Sequence, residues 1–342
     1  MSHYSQFSIL MPSINCDFEL LDNVNKILRD PQVSPNQLHI VIDGGKIHEA
    51  VKNKFEALGV NLYLLNRNVG VGSALNVGLK SISSQFIRRM DVDDEWVVGS
   101  INDLVISLLK DNVIVIGSCL VKKNGRRYKP LVPFLPKGDL NASAFLTGNP
   151  ITHPTVCFNL KQISKVGGYS EKKAAEDFDL WLRFYLQGVK FFNTDLITVI
   201  YSRDLNTASK SLFYKEIVEE TFESWFEVVG RDFNLDQKFL GVAVCRGINC
   251  DHSKIDIKKY KIDLIDSITK LRELKTNKRL FVNIVLRGAA SLISHESKIS
   301  VVGYFCRVFK YEPLFPIFFM IFTFQDTFKV FYQRTNKAEI QV

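Results

Sequence analysis

The residues best equipped for chemistry stand at Asp91-Val92-Asp93-Asp94 of this 342-residue chain. They follow Phe86-Ile87-Arg88-Arg89-Met90, which reads as a strand, and precede a helix expected to begin near Trp96. Carboxylates at the end of a buried strand are costly unless something pairs them. A divalent cation carrying a diphosphate would do so. Hard oxygen ligands suit Mg²⁺ or Mn²⁺, and such ions take one or two protein carboxylates alongside phosphate oxygens. The competing reading is a helix cap, because Asp favours helix N-termini and meets the positive end of the dipole there.

A second acidic pair, Glu176-Asp177, opens the clearest helix of the chain, expected over residues 176–188. Its apolar stripe is Phe178, Trp181, Leu182, Tyr185 and Leu186, and Gly188 is the expected stop. An acid here either takes a proton from a bound hydroxyl or simply complements the helix dipole. Asp179 and Arg183 stand at i, i+4 and read as an ordinary ion pair. His153, beside Pro154, reads first as a packed or hydrogen-bonded residue.

The elements that must position these groups follow from periodicity. Strands are expected at residues 7–12, closed by Pro12, and at 38–43, 60–65, 85–90 and 113–118, with a short one at 155–158. Helices are expected at 17–28, 47–58, 70–81 and 101–109. Short apolar strands alternating with helices imply a mainly parallel sheet covered on both faces. Ligands bind beyond the C-terminal ends of such strands. Pro12, Asp43, the Asn66-Arg67-Asn68 run and Asp91 to Asp94 all lie at those ends, and that convergence points to a nucleotide site. Residues 119–150 read as a hairpin and excursion near it.

Composition narrows the partners. The net charge of +8 favours anionic ligands such as nucleotide diphosphates or acidic lipids. No nucleic-acid-binding motif accompanies the charge. The six cysteines form no CxxC pair and no zinc spacing, which fits a reducing compartment. The first residues carry no secretory pattern, and no apolar run reaches about 18 residues, the length a membrane span needs. The expected location is therefore the cytoplasm.

Taken together, the ordered motifs resemble the family 2 inverting glycosyltransferases of GT-A fold, and among them bacterial enzymes of O-antigen, capsule and exopolysaccharide synthesis. The resemblance covers about residues 6–210. It rests on Met11-Pro12-Ser13-Ile14-Asn15, Ile40-Val41-Ile42-Asp43-Gly44-Gly45, Asn66 through Gly78, Arg88 through Asp94, His153-Pro154-Thr155-Val156, Val166-Gly167-Gly168-Tyr169 and Ala175 through Arg183. It implies a GT-A, Rossmann-like sheet and a metal-dependent transferase of hexose from a nucleoside-diphosphate sugar, most simply a UDP-sugar. The implied acceptor is a lipid-diphosphate-linked glycan. Asp93 would hold Mn²⁺ or Mg²⁺ directly and Asp91 would touch the ribose or donor sugar, itself a second candidate ligand. Pro12, Asn15, Asp43, Arg67, Asn68 and Gly70 would line the donor, with Asp43 on the base. Asp177 would be the general base with Glu176 beside it, and His153 would lie toward the acceptor.

Two departures stand out. Ile42 replaces the first of two acids common in the second-strand motif. Asp204 stands where the family often has a histidine that helps hold metal or diphosphate, which makes Asp204 a candidate ligand of altered chemistry: an ionised carboxylate cannot donate to phosphate. These departures keep a rival alive, a sugar-nucleotide-binding scaffold subunit without turnover. A nucleotidyltransferase is the other rival, and it would normally show a basic glycine-rich loop after the first strand, which Pro12 through Asn15 is not.

The organisation expected is a nucleotide-sugar transferase domain over residues 1–210 and a mainly helical region over 211–342. Within the latter, Leu314 to Phe324 is strongly apolar, is interrupted by Pro316, and is flanked by Arg307, Lys310, Lys329 and Arg334. That pattern fits a helix lying in the membrane interface, or one packed on the catalytic domain or in a dimer interface. The first alternative places the protein peripherally on the cytoplasmic face of the inner membrane.

Overall fold

The computed structural model describes residues 6–101, 112–123, 126–128, 138–140, 145, 149–172 and 174–202, together with helical residues at 217, 220, 221, 223–225, 227 and 228. Asp204, the Leu314 to Phe324 segment and the helix expected at 101–109 beyond its first residue lie outside them.

The chain lays down β1 (Phe7–Ser13), α1 (Phe18–Ile27), β2 (Leu38–Ile42), α2 (Glu49–Leu58), β3 (Asn61–Leu64), α3 (Val71–Ser81) and β4 (Phe86–Arg89). All four strands run parallel in the order β3-β2-β1-β4. Every residue of β2 is buried, as an unbroken Leu-His-Ile-Val-Ile run should be between two helical layers. Asp17 caps α1, accepting the Leu20 amide at 3.1 Å, and Gly59 ends α2 with φ at 78°.

The second half adds β5 (Glu95–Trp96), β6 (Val113–Lys123), β7 (Arg126–Tyr128), β8 (Gly138–Asp139), β9 (Val156–Asn159), α4 (Leu160–Lys165), α5 (Glu176–Leu186) and β10 (Lys190–Ser202). The sheet continues β4-β9-β6-β10-β5, with β7 on β6 and β8 on β10. Because β9 is antiparallel to both β4 and β6, and β10 is parallel to β6, the strands β6 and β10 point the same way as β1. The sheet is thus mostly parallel in sense, with one reversed strand inside it. This is the GT-A architecture.

Four expectations need correction. Strand β1 does not stop at Pro12; it runs to Ser13, with Pro12 opposite Val41. The Leu10 carbonyl accepts Met90 on the β4 side and the Ser13 carbonyl accepts Asp43 on the β2 side, so Pro12 faces the β4 side. There the ladder has already ended at the Leu10–Arg89 pair, and the missing N–H costs no ladder bond. Second, no helix begins near Trp96. Glu95 and Trp96 pair antiparallel with Ile200 and Val199, and the Trp96 indole donates to Asp30 at 2.9 Å.

Third, the stripe of α5 is wider than expected. Phe178, Leu180, Trp181, Leu182 and Phe184 are buried, while Leu186 is 57% exposed. Phe184, one of the added residues, packs against Phe158 of β9 at 6.3 Å. Trp225 is fully buried, stacks on Phe145 at 4.1 Å and on Phe178 at 5.5 Å, and donates to the Phe178 carbonyl at 2.9 Å. The helix is therefore covered on a second side. Fourth, β10 was not expected as a strand, because Asn193-Thr194-Asp195 interrupts its apolar pattern. The interruption is a bulge: the register shifts between Asn193 and Ile197, and Thr194 donates to the Ile116 carbonyl at 3.1 Å. The expected hairpin near 119–150 is present as β6 and β7, with Lys122 opposite Arg127.

Candidate active site

The acidic loop leaves β4 and is fastened from three sides. Asp91 forms an ion pair with Arg89, Asn23 of α1 donates to the Val92 carbonyl, and Asp94 accepts the Ser202 amide at 2.9 Å. None of these bonds is to the start of a helix, so the capping alternative for this cluster is gone. Oxygens of Asp91, Asp93 and Asp94 lie within 4.8 Å of one another. Burial and the neighbouring carboxylates push both Asp93 and Asp94 up, Asp94 to about 8. The Asp94 Oδ2 is buried and has no protein partner. Three acids so placed repel one another, and a hard divalent cation is the group that would relieve them. The donor set therefore fits Mg²⁺ or Mn²⁺.

On the β2 side, Asp43 is buried, and its two oxygens accept the Val69 amide at 2.7 Å and the Gly70 amide at 3.0 Å. It thereby fixes the loop that carries Arg67 and Asn68, both exposed. Gly44 makes the contact between the two loops: its φ is 73°, and a Cβ there would stand 2.0 Å from the Arg67 carbonyl carbon. Asn15 accepts the Lys46 amide at 3.0 Å, joining the β1 and β2 ends. Gly70, with φ at 89°, precedes the first turn of α3. The structure thus brings Pro12, Asn15, Asp43, Arg67, Asn68 and Gly70 to one edge.

Glu176 and Asp177 begin α5. The residue before them, Ala175, is among the described residues the one non-glycine with positive φ, at 54°. Such a conformation persists where surrounding structure enforces it, and it clusters at functional sites. Asp177 accepts the Asn149 amide nitrogen at 2.7 Å, a contact across 28 positions that no local pattern announces. Burial raises the carboxyl of Asp177, and burial together with Asp177 pushes Glu176 up to about 7. His153 is buried beneath them; its Nε2 lies 2.9 Å from the Tyr169 hydroxyl and its Nδ1 3.8 Å from Glu176. Burial holds His153 well below its ordinary value, so it is neutral. It supports Glu176 from below and presents little surface to a ligand.

Asp179 is tied to Arg183 at 2.9 Å, as the spacing predicts, and to Lys172 at 3.4 Å. Asn76 on α3 clamps the loop ahead of α5 with two 2.8 Å bonds to the Tyr169 backbone. Gly72 lets that loop close on α3, since a Cβ there would meet the Ser170 carbonyl at 2.4 Å and Glu176 Cβ at 3.3 Å. The start of α5 and the loop before it are thus held against α3.

Asn149→Ala tests the positioning of Asp177. A hydrogen bond to a charged group is worth about 1.5–3 kcal/mol, and about 1.4 kcal/mol is tenfold in rate. The bond also holds the Asp177 carboxyl down. The variant is expected to lose about tenfold or more in kcat and to move the acidic limb of its pH–rate profile upward.

Comparison with known proteins agrees with this geometry. Residues 8–167 match the family described as Glycosyl transferase family 2. Among curated relatives, a UDP-Gal:alpha-D-GlcNAc-diphosphoundecaprenol beta-1,3-galactosyltransferase of Escherichia coli is 24% identical over 221 residues, covering 63% of this chain and 80% of the relative. Two solved structures share the fold. One is Staphylococcus aureus TarS 1-349 in complex with UDP-GlcNAc, with a TM-score of 0.53 at 15% identity, covering 83% of this chain and 87% of that one. The other is the mannosyltransferase PcManGT from Pyrobaculum calidifontis with GDP-Man and Mn²⁺, with a TM-score of 0.51 at 13% identity, covering 98% and 88%. Over residues 8–167 the chain is thus similar to glycosyltransferase family 2, and its relatives include enzymes named for O-antigen and amylovoran biosynthesis.

Proposed function

We propose that the chain moves a hexosyl group, with inversion, from a nucleoside-diphosphate sugar to a lipid-diphosphate-linked glycan in the synthesis of a bacterial surface polysaccharide. A UDP-sugar is the expected donor, as in the Escherichia coli relative. The observation that carries the reading is the pairing of two acidic sites on one sheet edge. Asp91, Asp93 and Asp94 stand just past the end of β4, and Asp177 lies at the start of α5, which meets the first turn of α3.

Asp43, Arg67 and Asn68 would hold the nucleotide, with Pro12, Asn15 and Gly70 shaping the cleft around it. Asp93, with Asp91 and Asp94 beside it, would hold Mn²⁺ or Mg²⁺, whose Lewis acidity neutralises charge on the diphosphate. Asp177 takes the proton of the acceptor hydroxyl as the new bond from that oxygen to the anomeric carbon forms. The bond from that carbon to the phosphate oxygen breaks, and its electron pair leaves with the nucleoside diphosphate.

A base must be ionised to act. Since burial raises Asp177, the base protonates at a higher pH than an ordinary carboxylate. The rate should therefore fall with decreasing pH before the ordinary carboxylate range is reached, as a profile of kcat against pH would record.

No helix among the described residues is long and apolar enough to cross a membrane. Peripheral attachment through Leu314 to Phe324 completes the proposal. Truncation from Glu312 onward is expected to abolish liposome binding and leave UDP binding intact, because every donor motif lies before residue 210. Unchanged liposome binding with a lowered melting temperature favours the packed-helix alternative.

The reading is tested with purified full-length protein, a panel of UDP-sugars and GDP-mannose, and a synthetic lipid-diphosphate sugar, with and without EDTA. Transfer of one hexose, lost in chelator and restored by Mn²⁺ or Mg²⁺, is the expected result. Nucleotide binding without turnover on any acceptor would instead support the scaffold alternative.

A further inference from the structure

Trp225 lies outside the residues 8–167 that match the family, and it is fully buried. It stands on a helical face of its own. Thr221 and Trp225, one turn apart, are buried, while Glu220, Glu223, Ser224 and Glu227 are exposed. The covered face meets the start of α5. The Trp225 indole donates to the Phe178 carbonyl at 2.9 Å, and its ring stacks on Phe178 at 5.5 Å with an interplanar angle of 14°. The Thr221 hydroxyl accepts from Lys172 at 3.3 Å, and Lys172 pairs with Asp179 at 3.4 Å. Phe178 and Asp179 are the two residues that follow Asp177.

The Asp177 carboxylate is held by donors from two segments. The Phe178 amide on α5 donates to Oδ1 at 2.7 Å, and the Asn149 side chain donates to Oδ2 at 2.7 Å. Trp225 stacks on a ring from each segment: Phe178 itself, and Phe145, which precedes Asn149 in the chain, at 4.1 Å and 9°. We infer that Trp225 is a positioning residue for Asp177: its ring clamps the segment that carries Asn149 to the start of α5, and so fixes the direction in which the carboxylate points. That the fixed carboxylate takes a proton rests on the function proposed above.

The bond between Asn149 and Asp177 does not hold the two segments together by itself. Asn149 is exposed, so water competes for its donor and the net gain from the bond is small. The rings of Phe145, Phe178 and Trp225 are all at most 1% exposed, beyond such competition. Phe145 and Phe178 also face each other, but at 6.5 Å, farther than either stands from Trp225. Phe191 touches Phe145 at 5.3 Å and ties it to β10. The indole N–H adds direction to the stack, because a buried donor keeps its acceptor and here that acceptor belongs to the first turn of α5.

The test reads the Asn149 side-chain amide by NMR in full-length protein labelled with ¹⁵N-asparagine, without donor or acceptor. Its signal is assigned by its loss in Asn149→Ala, and Asp177→Ala gives its position when the bond is absent. In Trp225→Leu the signal should move toward that position. In the same variant kcat should fall by about 10- to 10²-fold, the cost of misplacing a reacting group by about an ångström, while UDP affinity holds. Phe184→Leu removes another fully buried ring of α5, one that packs on Phe158 and Trp181; it should lower the melting temperature and leave the signal in place. A signal unmoved in Trp225→Leu, or moved as far in Phe184→Leu, overturns the inference and leaves Trp225 a packing residue alone. Should Trp225→Leu not fold, Phe145→Leu opens the same stack from its other side, and the same outcomes decide. Because the signal is read without donor or acceptor, a moved signal with unchanged kcat upholds the clamp and counts only against Asp177 as the base.

Discussion

Asp177→Asn is expected to lower transfer by about 10²- to 10⁴-fold, the usual contribution of a positioned general base. The substitution keeps the shape of the side chain and one oxygen, to which either Asn149 or the Phe178 amide can donate, and the buried Phe178 and Trp181 continue to anchor α5. It removes the capacity to take a proton. Donor affinity should hardly change, because the nucleotide contacts proposed above lie around Asp43. Rates and UDP binding measured on the same preparation separate these effects. A near-normal rate would move the base to Glu176 rather than to Asp179, since Asp179 is already committed to Arg183 and Lys172. Glu176, pushed up to about 7 and adjacent in the same cleft, is the natural successor.

Asp93→Ala should abolish transfer with the fold intact. Asp93 is exposed, unlike Asp94, and a substitution at an exposed position away from packing changes stability by about 0.5 kcal/mol or less. Its neighbours are fastened by Arg89, Asn23 and Ser202, so the loop has anchors that do not depend on it. Removing Asp93 also takes away one of the repulsions on Asp94, while burial and Asp91 still hold that carboxyl up. Circular dichroism and melting would show the fold retained, and calorimetry with Mn²⁺ would show binding lost. Full activity of the variant, or of wild type in EDTA, would remove the metal from the account.

The first half of the fold and most of the residues gathered at the candidate site were legible in the sequence because local signals determine them. Apolar runs of strand length alternate with helical spacing up to β4, and polar residues gather where strands end. The Glu176-Asp177 start of α5 and the Asp179–Arg183 pair follow from helical geometry alone. What could not be read there depends on contacts between distant positions. Glu95 and Trp96 become a strand because β10 offers an edge more than a hundred residues later. The polar centre of β10 tolerates burial only because Thr194 and Thr198 bond to β6 carbonyls. Asn149 earns its place through Asp177, and the double arginine of β4 through partners on opposite faces of the sheet. The left-handed Ala175 has no glycine to mark it.

The central claim is inversion by a carboxylate standing across the sugar from the leaving diphosphate. The measurement that tests it most directly is the anomeric configuration of the product, read from the NMR coupling of the new linkage formed from an α-linked UDP-sugar. A β-linked product, formed by wild type and lost in Asp177→Asn, is the result the account predicts. An α-linked product would contradict it.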